Sequence, residues 1–243
     1  MEPADVSIFE TPEQLALGAA ERFVAVAEKA CSEAERFSVA LAGGRTPKRV
    51  YELLASDDFK SRITWPKVHL FFGDERAVPP DHPDSNYRMV FESLISKVPI
   101  HDDNVHRLAG EGDANANARD YENHLKLFFS GLRWPCFDLV LLGMGEDGHT
   151  ASLFPGAEAL AEQSRWVVVT RFPQTGQQRI TLTLPVLNHA ALVIFLVTGK
   201  EKAQRLAEVL RPNPTVKLLP AQAIKPIDGK LEWLVDAAAA SGL

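Results

Sequence analysis

Residues 137–156 read FDLVLLGMGEDGHTASLFPG, an apolar run that passes directly into a glycine-rich loop. The run from Phe137 to Leu142 predicts a short buried strand. Three glycines then fall within the six residues 143–148, where core packing alone gives no reason for glycine. They indicate tight turns or a close approach of the backbone to a ligand. A strand that ends in such a loop is typical of an α/β protein that binds its ligand at one edge of a parallel sheet.

The rest of the chain alternates between helical and strand patterns. Residues 13–36 have apolar residues at helical spacing behind a Thr-Pro start signal at 11–12. Further helices are predicted over 47–55, 85–96, 114–130 and 200–210, and strands over 37–42, 67–72, 137–142, 166–170, 179–183, 192–198 and 231–235. This alternation predicts an α/β fold: one three-layer α/β/α Rossmann-like domain over residues 1–243, with a mainly parallel sheet.

Composition limits the classes of function. The chain has 243 residues, 46% of them apolar, and a net charge of -6, which disfavours nucleic acid as a main partner. No apolar segment approaches the ~20 residues that span a bilayer, and the N-terminus lacks a signal-peptide pattern. We therefore expect a monomeric cytoplasmic protein without membrane contact. Cys31 and Cys136 have no metal-ligand or redox spacing, and both are expected to be buried thiols.

The first candidate site follows the predicted strand at 37–42. Gly43 and Gly44 let the backbone come close to a ligand, and the N–H groups at the start of the next helix favour an anion. Arg45 and Thr46 add further donors. The spacing is neither that of a Walker A loop nor G-x-G-x-x-G. The alternative interpretation is a plain tight turn.

Two other strand ends carry polar residues. Asp74, Glu75 and Arg76 follow the strand at 67–72, and Asn86 lies in the segment that continues from them. These residues are typical of a polar site, but a solvated loop of ion pairs is the more common explanation. In the glycine-rich loop, Asp147 and His149 flank Gly148, and a histidine beside an aspartate in such a loop is more often functional than structural.

The last candidates are two cations. Arg179 begins a predicted strand, and Lys200 lies at a junction between strand and helix. The first turn of a helix is normally acidic, so a lysine there indicates an anionic ligand. Each of the two residues also has an ordinary interpretation as a surface charge.

Taken together, these segments resemble the 6-phosphogluconolactonases. The matching stretches, in chain order, are 41–47, 72–76, 82–87, 143–156, 179–183, Asn188 and 199–200. The resemblance covers nearly the whole chain and implies the glucosamine-6-phosphate deaminase-like fold. It also implies a cytoplasmic enzyme of the oxidative pentose phosphate pathway that hydrolyses 6-phosphoglucono-1,5-lactone to 6-phosphogluconate, without a metal or a cofactor.

Two departures separate the chain from the deaminases that share this fold. In the deaminases the histidine motif continues with a run that supplies a further catalytic carboxylate, whereas residues 151–154 here are Ala-Ser-Leu-Phe and contain no acid. The deaminases also have a tyrosine where this chain has Arg76. A non-catalytic sugar-phosphate sensor would require an added DNA-binding segment, and neither end of this acidic chain provides one.

Lactone hydrolysis needs a base, a stabilised oxyanion and a bound phosphate. We predict that His149 is the base, that Asp147 orients its ring, and that a nearby helix N-terminus favours the neutral imidazole. Arg76 is predicted to stabilise the oxyanion. The phosphate is expected on the turn at 43–46, with Arg179 and Lys200 as charge partners. Asp74 and Asn86 are expected to bind sugar hydroxyls.

Overall fold

The computed structural model describes residues 5–211 and 218–243. Ten strands are present in these residues: β1 (Asp5–Phe9), β2 (Phe37–Leu41), β3 (Val68–Phe72), β4 (Asp74–Arg76), β5 (Val105–His106), β6 (Leu139–Gly143), β7 (Val167–Arg171), β8 (Gln178–Leu182), β9 (Leu192–Val197) and β10 (Lys230–Asp236). The α-helices are α1 (Pro12–Glu33), α2 (Arg45–Leu54), α3 (Asp57–Lys60), α4 (Asn86–Ser93), α5 (Ala114–Phe128), α6 (Leu184–Leu187) and α7 (Ala203–Leu210).

Seven strands form one sheet in the order β1-β10-β9-β6-β2-β3-β5, and every pair in it is parallel. The inner strands are short apolar runs, as expected when helices flank a parallel sheet. All five residues of β2, for example, are buried. The predicted α/β class and the parallel sheet are confirmed.

The local signals for α1 are also found in the structure. Thr11 is the N-cap, and its side chain accepts a hydrogen bond from the N–H of Gln14 at 3.2 Å. Pro12 occupies the first turn, where its missing N–H costs nothing. A stripe at helical spacing, which includes Leu15, Ala19 and Phe23, is buried. Side-chain periodicity therefore sets which face of this helix packs against the sheet.

A second, three-stranded sheet was not predicted. Its order is β4-β8-β7, and both pairs are antiparallel. The strands predicted at 166–170 and 179–183 exist, but they belong to this sheet. A strand pattern does not reveal which neighbour the strand pairs with, and β4 is a polar three-residue strand without an apolar run. A hydrogen bond connects the two sheets: the N–H of Leu182 donates to the carbonyl of Gly73 at 2.9 Å and joins β8 to the end of β3.

Three further expectations can be compared with the structure. Cys31 is buried as expected, but Cys136 is exposed, so that expectation is wrong. Cys136 lies just before β6, where the chain is still at the surface. In the residues that the structure describes, no group of three or more histidine, cysteine or acidic side chains could hold a metal ion. No helix in the same residues is long and apolar enough to cross a membrane.

A row of three histidines lies at the β5 edge of the large sheet. Nδ1 of His69 is 3.1 Å from Nε2 of His106, and Nδ1 of His106 is 2.6 Å from Nε2 of His124. The central ring also stacks on Phe71, with the ring centroids 4.1 Å apart. Burial, together with the neighbouring His124 and His69, lowers the pKa of His106 to about 3. Burial also lowers the pKa of His69 and of His124, so the neutral form of all three rings is favoured.

Candidate active site

A cavity of about 200 Å³, a size that suits a small molecule, lies at the carboxyl ends of three neighbouring strands, β2, β6 and β9. Residues of the loops that follow these strands line it, together with residues of β4 and α4. The predicted site residues in this lining are Gly43, Gly44, Arg45, Thr46, Asp74, Arg76, Asn86 and His149. Segments far apart in the sequence thus meet where an open parallel sheet binds its ligands.

The turn after β2 presents the amino end of α2 to the cavity. Gly44 has a φ of 104°, which favours glycine, and as the N-cap it offers no side chain to the N–H groups of the first turn. The helix begins at Arg45, two residues before the start predicted from Pro47. The free N–H groups and the positive end of the helix dipole favour an anion here.

Two buried tyrosines fix the strand ends that carry the site loops. The hydroxyl of Tyr51 accepts from the N–H of Ala42 at 3.0 Å and donates to its carbonyl at 2.8 Å. The hydroxyl of Tyr121 does the same at Phe72, at 2.9 and 3.2 Å. Burial raises the pKa of both tyrosines, so both hydroxyls stay protonated and can donate. The ends of β2 and β3 are thereby held in place from within the core.

Lys202 lines the cavity, whereas the predicted Lys200 does not. After β9 the chain turns at Gly199 and forms a short 3-10 helix over Lys200–Lys202. At three residues per turn, side chains two positions apart lie on different sides of this helix. Lys200 is exposed and Lys202 is half-buried. Burial lowers the pKa of Lys202, and the charge of Arg45 adds to this against the opposing charge of Glu201.

His149 and Asp147 form a hydrogen-bonded pair at the cavity. Nδ1 of His149 is 2.5 Å from Oδ1 of Asp147, which also accepts the backbone N–H of His149 at 3.1 Å. Burial raises the pKa of Asp147, but the hydrogen bonds and the charge interaction with His149 outweigh it, so the pKa lies below its usual range. An ionised Asp147 sets the tautomer with the proton on Nδ1 and leaves Nε2 as an acceptor.

Glycine is required beside this pair. A Cβ on Gly145 would lie 2.2 Å from Nδ1 of His149 and 2.8 Å from Oδ1 of Asp147. The turn is closed by hydrogen bonds from the N–H of Gly145 to the carbonyl of His149 at 2.9 Å and from the N–H of Gly148 to the carbonyl of Gly145 at 3.0 Å. Phe154 packs against the imidazole, with the ring centroids 5.0 Å apart. The loop thus fixes the ring on several sides.

A helix N-terminus was predicted near His149, but the loop that contains His149 does not itself begin a helix. Between residues 144 and 157 the chain runs through turns, and the next helical segment is the 3-10 helix Glu158–Ala161. Gly148 and Ala151 have φ values of 82° and 47°, which a helix cannot contain. The helix start that faces the cavity belongs to α2.

Asp74 is buried, and both of its carboxylate oxygens are held. Oγ of Ser152 donates to Oδ2 at 2.5 Å, and Nδ2 of Asn86 donates to Oδ1 at 3.2 Å and to the Asp74 carbonyl at 2.9 Å. Oδ1 of Asn86 is buried and has no hydrogen-bond partner in the described part of the chain. A Cβ on Gly43 would lie only 1.9 Å from this oxygen. The Asn86 carbonyl oxygen is therefore available to a ligand.

Two arginines lie side by side across the second sheet. Arg76 in β4 pairs in register with Arg179 in β8, and the Nε atom of each is buried without a partner among the described residues. Nη1 of Arg76 donates to the Asp84 carbonyl at 2.5 Å. Burial lowers the pKa of Arg179, and the charge of Arg76 lowers it further. Arg76 lines the cavity, whereas Arg179 is not among the lining residues, and its guanidinium lies 5.3 Å from the Phe172 ring centroid.

Two residues of this region, Lys202 and Ser152, were not predicted, and Glu75 was predicted only as one member of a polar segment. Lys200 was predicted because it is a cation in the first turn of a helix, a criterion that does not show which side of the turn faces the cavity. Ser152 is a small polar residue at a position where the deaminases have a run with an acid, and its type alone does not indicate a contact with Asp74. Only the three-dimensional contacts of these side chains distinguish them from ordinary polar residues.

Comparison with known proteins now identifies the class. Residues 10–233 match the family model described as glucosamine-6-phosphate isomerases/6-phosphogluconolactonase. The chain belongs to this family of sugar-phosphate enzymes.

Within the family, the similar proteins carry one particular name. A 6-phosphogluconolactonase of Nostoc sp. is 42% identical over 219 residues, which cover 89% of this chain and 88% of the relative. A solved structure of 6-phosphogluconolactonase from Trypanosoma cruzi is 31% identical, with a TM-score of 0.87 and coverage of 99% of this chain and 97% of that one. These matches confirm the resemblance to the 6-phosphogluconolactonases and the prediction of an enzyme of this class.

A second solved structure has the same fold and a different name. A monomeric glucosamine-6-phosphate deaminase is 22% identical, with a TM-score of 0.82 and coverage of 98% of this chain and 100% of that one. The match confirms the predicted deaminase-like fold. At this identity it carries the fold alone, so the choice between the two activities depends on the residues in the cavity.

Proposed function

We propose that the chain hydrolyses 6-phosphoglucono-1,5-lactone to 6-phosphogluconate. The observation that carries the proposal is His149, which is hydrogen-bonded to Asp147 and lines the same cavity as Arg76. A base and a permanent cation on one cavity supply the two groups that acyl transfer to water requires. The names of the similar proteins support the same reaction.

His149 acts as the base. Asp147 holds the proton on Nδ1, so Nε2 removes a proton from water as the water oxygen attacks C1 of the lactone. The electron pair of the C1 carbonyl moves to its oxygen, which becomes an oxyanion. When this intermediate collapses, the bond between C1 and the ring oxygen breaks, and the imidazolium returns its proton to the ring oxygen. No metal or cofactor takes part in these steps.

Arg76 stabilises the oxyanion. Its charge is permanent, and its buried Nε has no partner in the residues that the structure describes. The hydrogen bond from Nη1 to the Asp84 carbonyl fixes the direction of the guanidinium. Removal of one such donor costs roughly 3 kcal/mol in the barrier, which lowers kcat by about 100-fold.

The phosphate binds at the amino end of α2, with Gly43, Gly44, Arg45 and Thr46 around it. Lys202 takes the role that the sequence suggested for Lys200, because Lys202 lines the same cavity. Arg179 adds positive charge beside Arg76, its partner in the register of β4 and β8. Asp74 and Asn86 bind the sugar hydroxyls: both carboxylate oxygens of Asp74 accept, and Oδ1 of Asn86 is free to accept.

The proposal extends to domain organisation, partners, oligomeric state and location. We propose one domain, because the buried apolar side chains form a single cluster. The net charge of -6 supports a protein that does not bind nucleic acid. We further propose a monomer in the cytoplasm. Sedimentation of the purified chain tests the first of these two properties, and microscopy of a tagged chain tests the second.

A coupled assay tests the reaction. Freshly made δ-lactone is supplied with 6-phosphogluconate dehydrogenase, and a blank without the chain corrects for spontaneous hydrolysis. His149→Ala is expected to lose at least 100-fold in kcat, whereas the exposed His101→Ala is expected to retain the full rate. Ammonia release from glucosamine 6-phosphate without lactone turnover would favour a deaminase. Tight binding of 6-phosphogluconate without turnover would favour a sensor.

A further inference from the structure

Glu75 is a buried acid that the proposed steps do not use. It lies in β4 between Asp74 and Arg76, both of which line the cavity, and its own side chain is only 1% exposed. Successive side chains of a strand point to opposite faces, so Glu75 points away from the cavity. A carboxylate is rarely buried to this degree without a set of partners.

Four donors surround this carboxylate. Oε1 accepts the backbone N–H groups of Arg76 at 2.8 Å and Asn86 at 2.7 Å. Oε2 accepts the backbone N–H of Tyr87 at 2.7 Å and the hydroxyl of Ser85 at 3.1 Å. Burial raises the pKa of Glu75, and these hydrogen bonds oppose that effect. The three backbone N–H groups can only donate, and between them they occupy both carboxylate oxygens, while the Ser85 hydroxyl completes the set.

The donors come from two elements that carry site residues. Ser85 is the N-cap of α4, and Asn86 and Tyr87 are its first two residues. Glu75 therefore joins the start of α4 to β4 through a negative charge at a helix amino end, which is a favourable location. Asn86 supplies the free acceptor in the cavity, and Arg76 supplies the proposed oxyanion donor.

Arg76 is tethered at both ends by this arrangement. Its backbone N–H is held by Glu75, and its guanidinium is held by the carbonyl of Asp84, the residue directly before the N-cap. A shift of α4 relative to β4 would move both tethers. Catalysis is sensitive to such shifts, because a displacement of about 1 Å can cost about 100-fold in rate.

We propose that Glu75 is a positioning residue of lactone hydrolysis: its carboxylate fixes Arg76 and Asn86 relative to each other across the cavity. The proposal depends on the proposed function. It differs from a purely stabilising role in one measurable respect. Loss of the carboxylate should lower kcat far more than a comparable loss of stability elsewhere at the start of α4.

Two variants separate these roles. Glu75→Gln keeps the size of the side chain but replaces one acceptor oxygen with an NH₂ group, which confronts two donors. Ser85→Ala is the matched control, because it removes the N-cap side chain and one donor but leaves the three backbone N–H groups on Glu75. Thermal midpoints, kcat and KM are measured for both variants and the unmodified chain with fresh δ-lactone.

We expect Glu75→Gln to lower kcat by about 100-fold and KM to stay within about threefold, because the phosphate site at α2 is untouched. Ser85→Ala should lower the thermal midpoint but keep kcat within about threefold. If Glu75→Gln does not fold, Glu75→Asp decides: it keeps the charge but withdraws it by one methylene group, and kcat should fall by about tenfold. A kcat equal to that of Ser85→Ala in whichever of these variants folds overturns the positioning role. Absence of turnover in the unmodified chain overturns the proposed function itself.

Discussion

The space beside the proposed catalytic pair, His149 and Asp147, gives a sharp prediction for Gly145→Ala. The backbone of Gly145 is not in the left-handed region, so alanine is tolerated there without backbone strain. The new methyl group, however, would lie 2.2 Å from Nδ1 and Cε1 of His149, and real contacts of this kind do not fall below 3.0 Å. The imidazole must therefore move by about 0.8 Å, because Phe154 and the closed turn leave it few other ways to yield.

The displacement sets the size of the effect. A shift of about 1 Å in a reacting group costs about 100-fold in rate, which corresponds to about 2.7 kcal/mol in the barrier. The same methyl would lie 2.8 Å from Oδ1 of Asp147, so the hydrogen bond that sets the tautomer is also disturbed. We expect kcat to fall by about 100-fold with a small change in thermal midpoint, because the clash is confined to this loop.

Gly143→Ala provides the matched control. It adds the same methyl group two residues earlier in the same segment, where no atom lies within 4 Å of the new carbon. Both variants are assayed with fresh δ-lactone, and the low-field proton signal of the Nδ1–H of His149 is followed by NMR. Gly143 also lines the cavity, so its new methyl group enters the ligand space without touching the His149–Asp147 pair. Gly143→Ala should therefore keep the signal. If Gly145→Ala keeps both the signal and the kcat of the unmodified chain, the placement of the imidazole does not limit the reaction, and the reasoning is refuted.

Three further predictions concern charge. Lys202→Ala should raise the KM for the lactone at least tenfold with a smaller change in kcat, and Lys200→Ala should leave KM unchanged; equal effects would remove the lysine assignment. Asp147→Asn should lower kcat by at least 100-fold at unchanged KM, because an amide no longer enforces the Nδ1–H tautomer; a normal kcat would exclude this role. Burial holds the pKa of His106 near 3 in the folded chain against 6.5 for the free side chain, so stability is full above pH 6.5 and falls as the pH drops towards 3. Urea titrations should show a loss of about 1 kcal/mol between pH 7.5 and 5.5, which His106→Gln reduces and the exposed His101→Gln does not.

The sequence predicted the large sheet because its strands are apolar runs bounded by glycine or by helical periodicity. It did not predict β1, β4 or β5, for reasons that differ in each case. β5 has only two residues, and β4 consists of charged residues whose pairing depends on β8, about a hundred positions further along the chain. β1 is an edge strand with three of its five residues only partly buried and two exposed, so it lacks a continuous buried pattern. Pairing partners and edges are tertiary properties that a local pattern does not encode.

The sequence predicted those parts of the site in which the local backbone requires a particular residue type. The glycines at 43–44 and 143–148 are conspicuous because ordinary side chains do not fit there, and the structure gives the reason: Gly43 adjoins Asn86 and Gly145 adjoins His149. Such demands are visible in the sequence even though the neighbours that impose them are not. Polar residues that come into contact only in the folded chain have no comparable signature in the sequence. Glu75 looks like one more acid in a charged loop, yet it is nearly inaccessible and accepts four hydrogen bonds.

Lys200 and Lys202 are only two positions apart, yet of the two only Lys202 lines the cavity. Both lysines follow Gly199, and both suit an anion at a strand end. The structure separates them through the first turn after Gly199, which is a 3-10 helix, so a shift of two positions carries a side chain from solvent to the cavity. The same turn is anchored by Asp236 of β10, whose carboxylate accepts the N–H of Gly199 at 3.1 Å. The turn that carries Lys202 is thus anchored by a residue 34 positions further along the chain, and the charge at the proposed phosphate site depends on the correct pairing of β9 with β10.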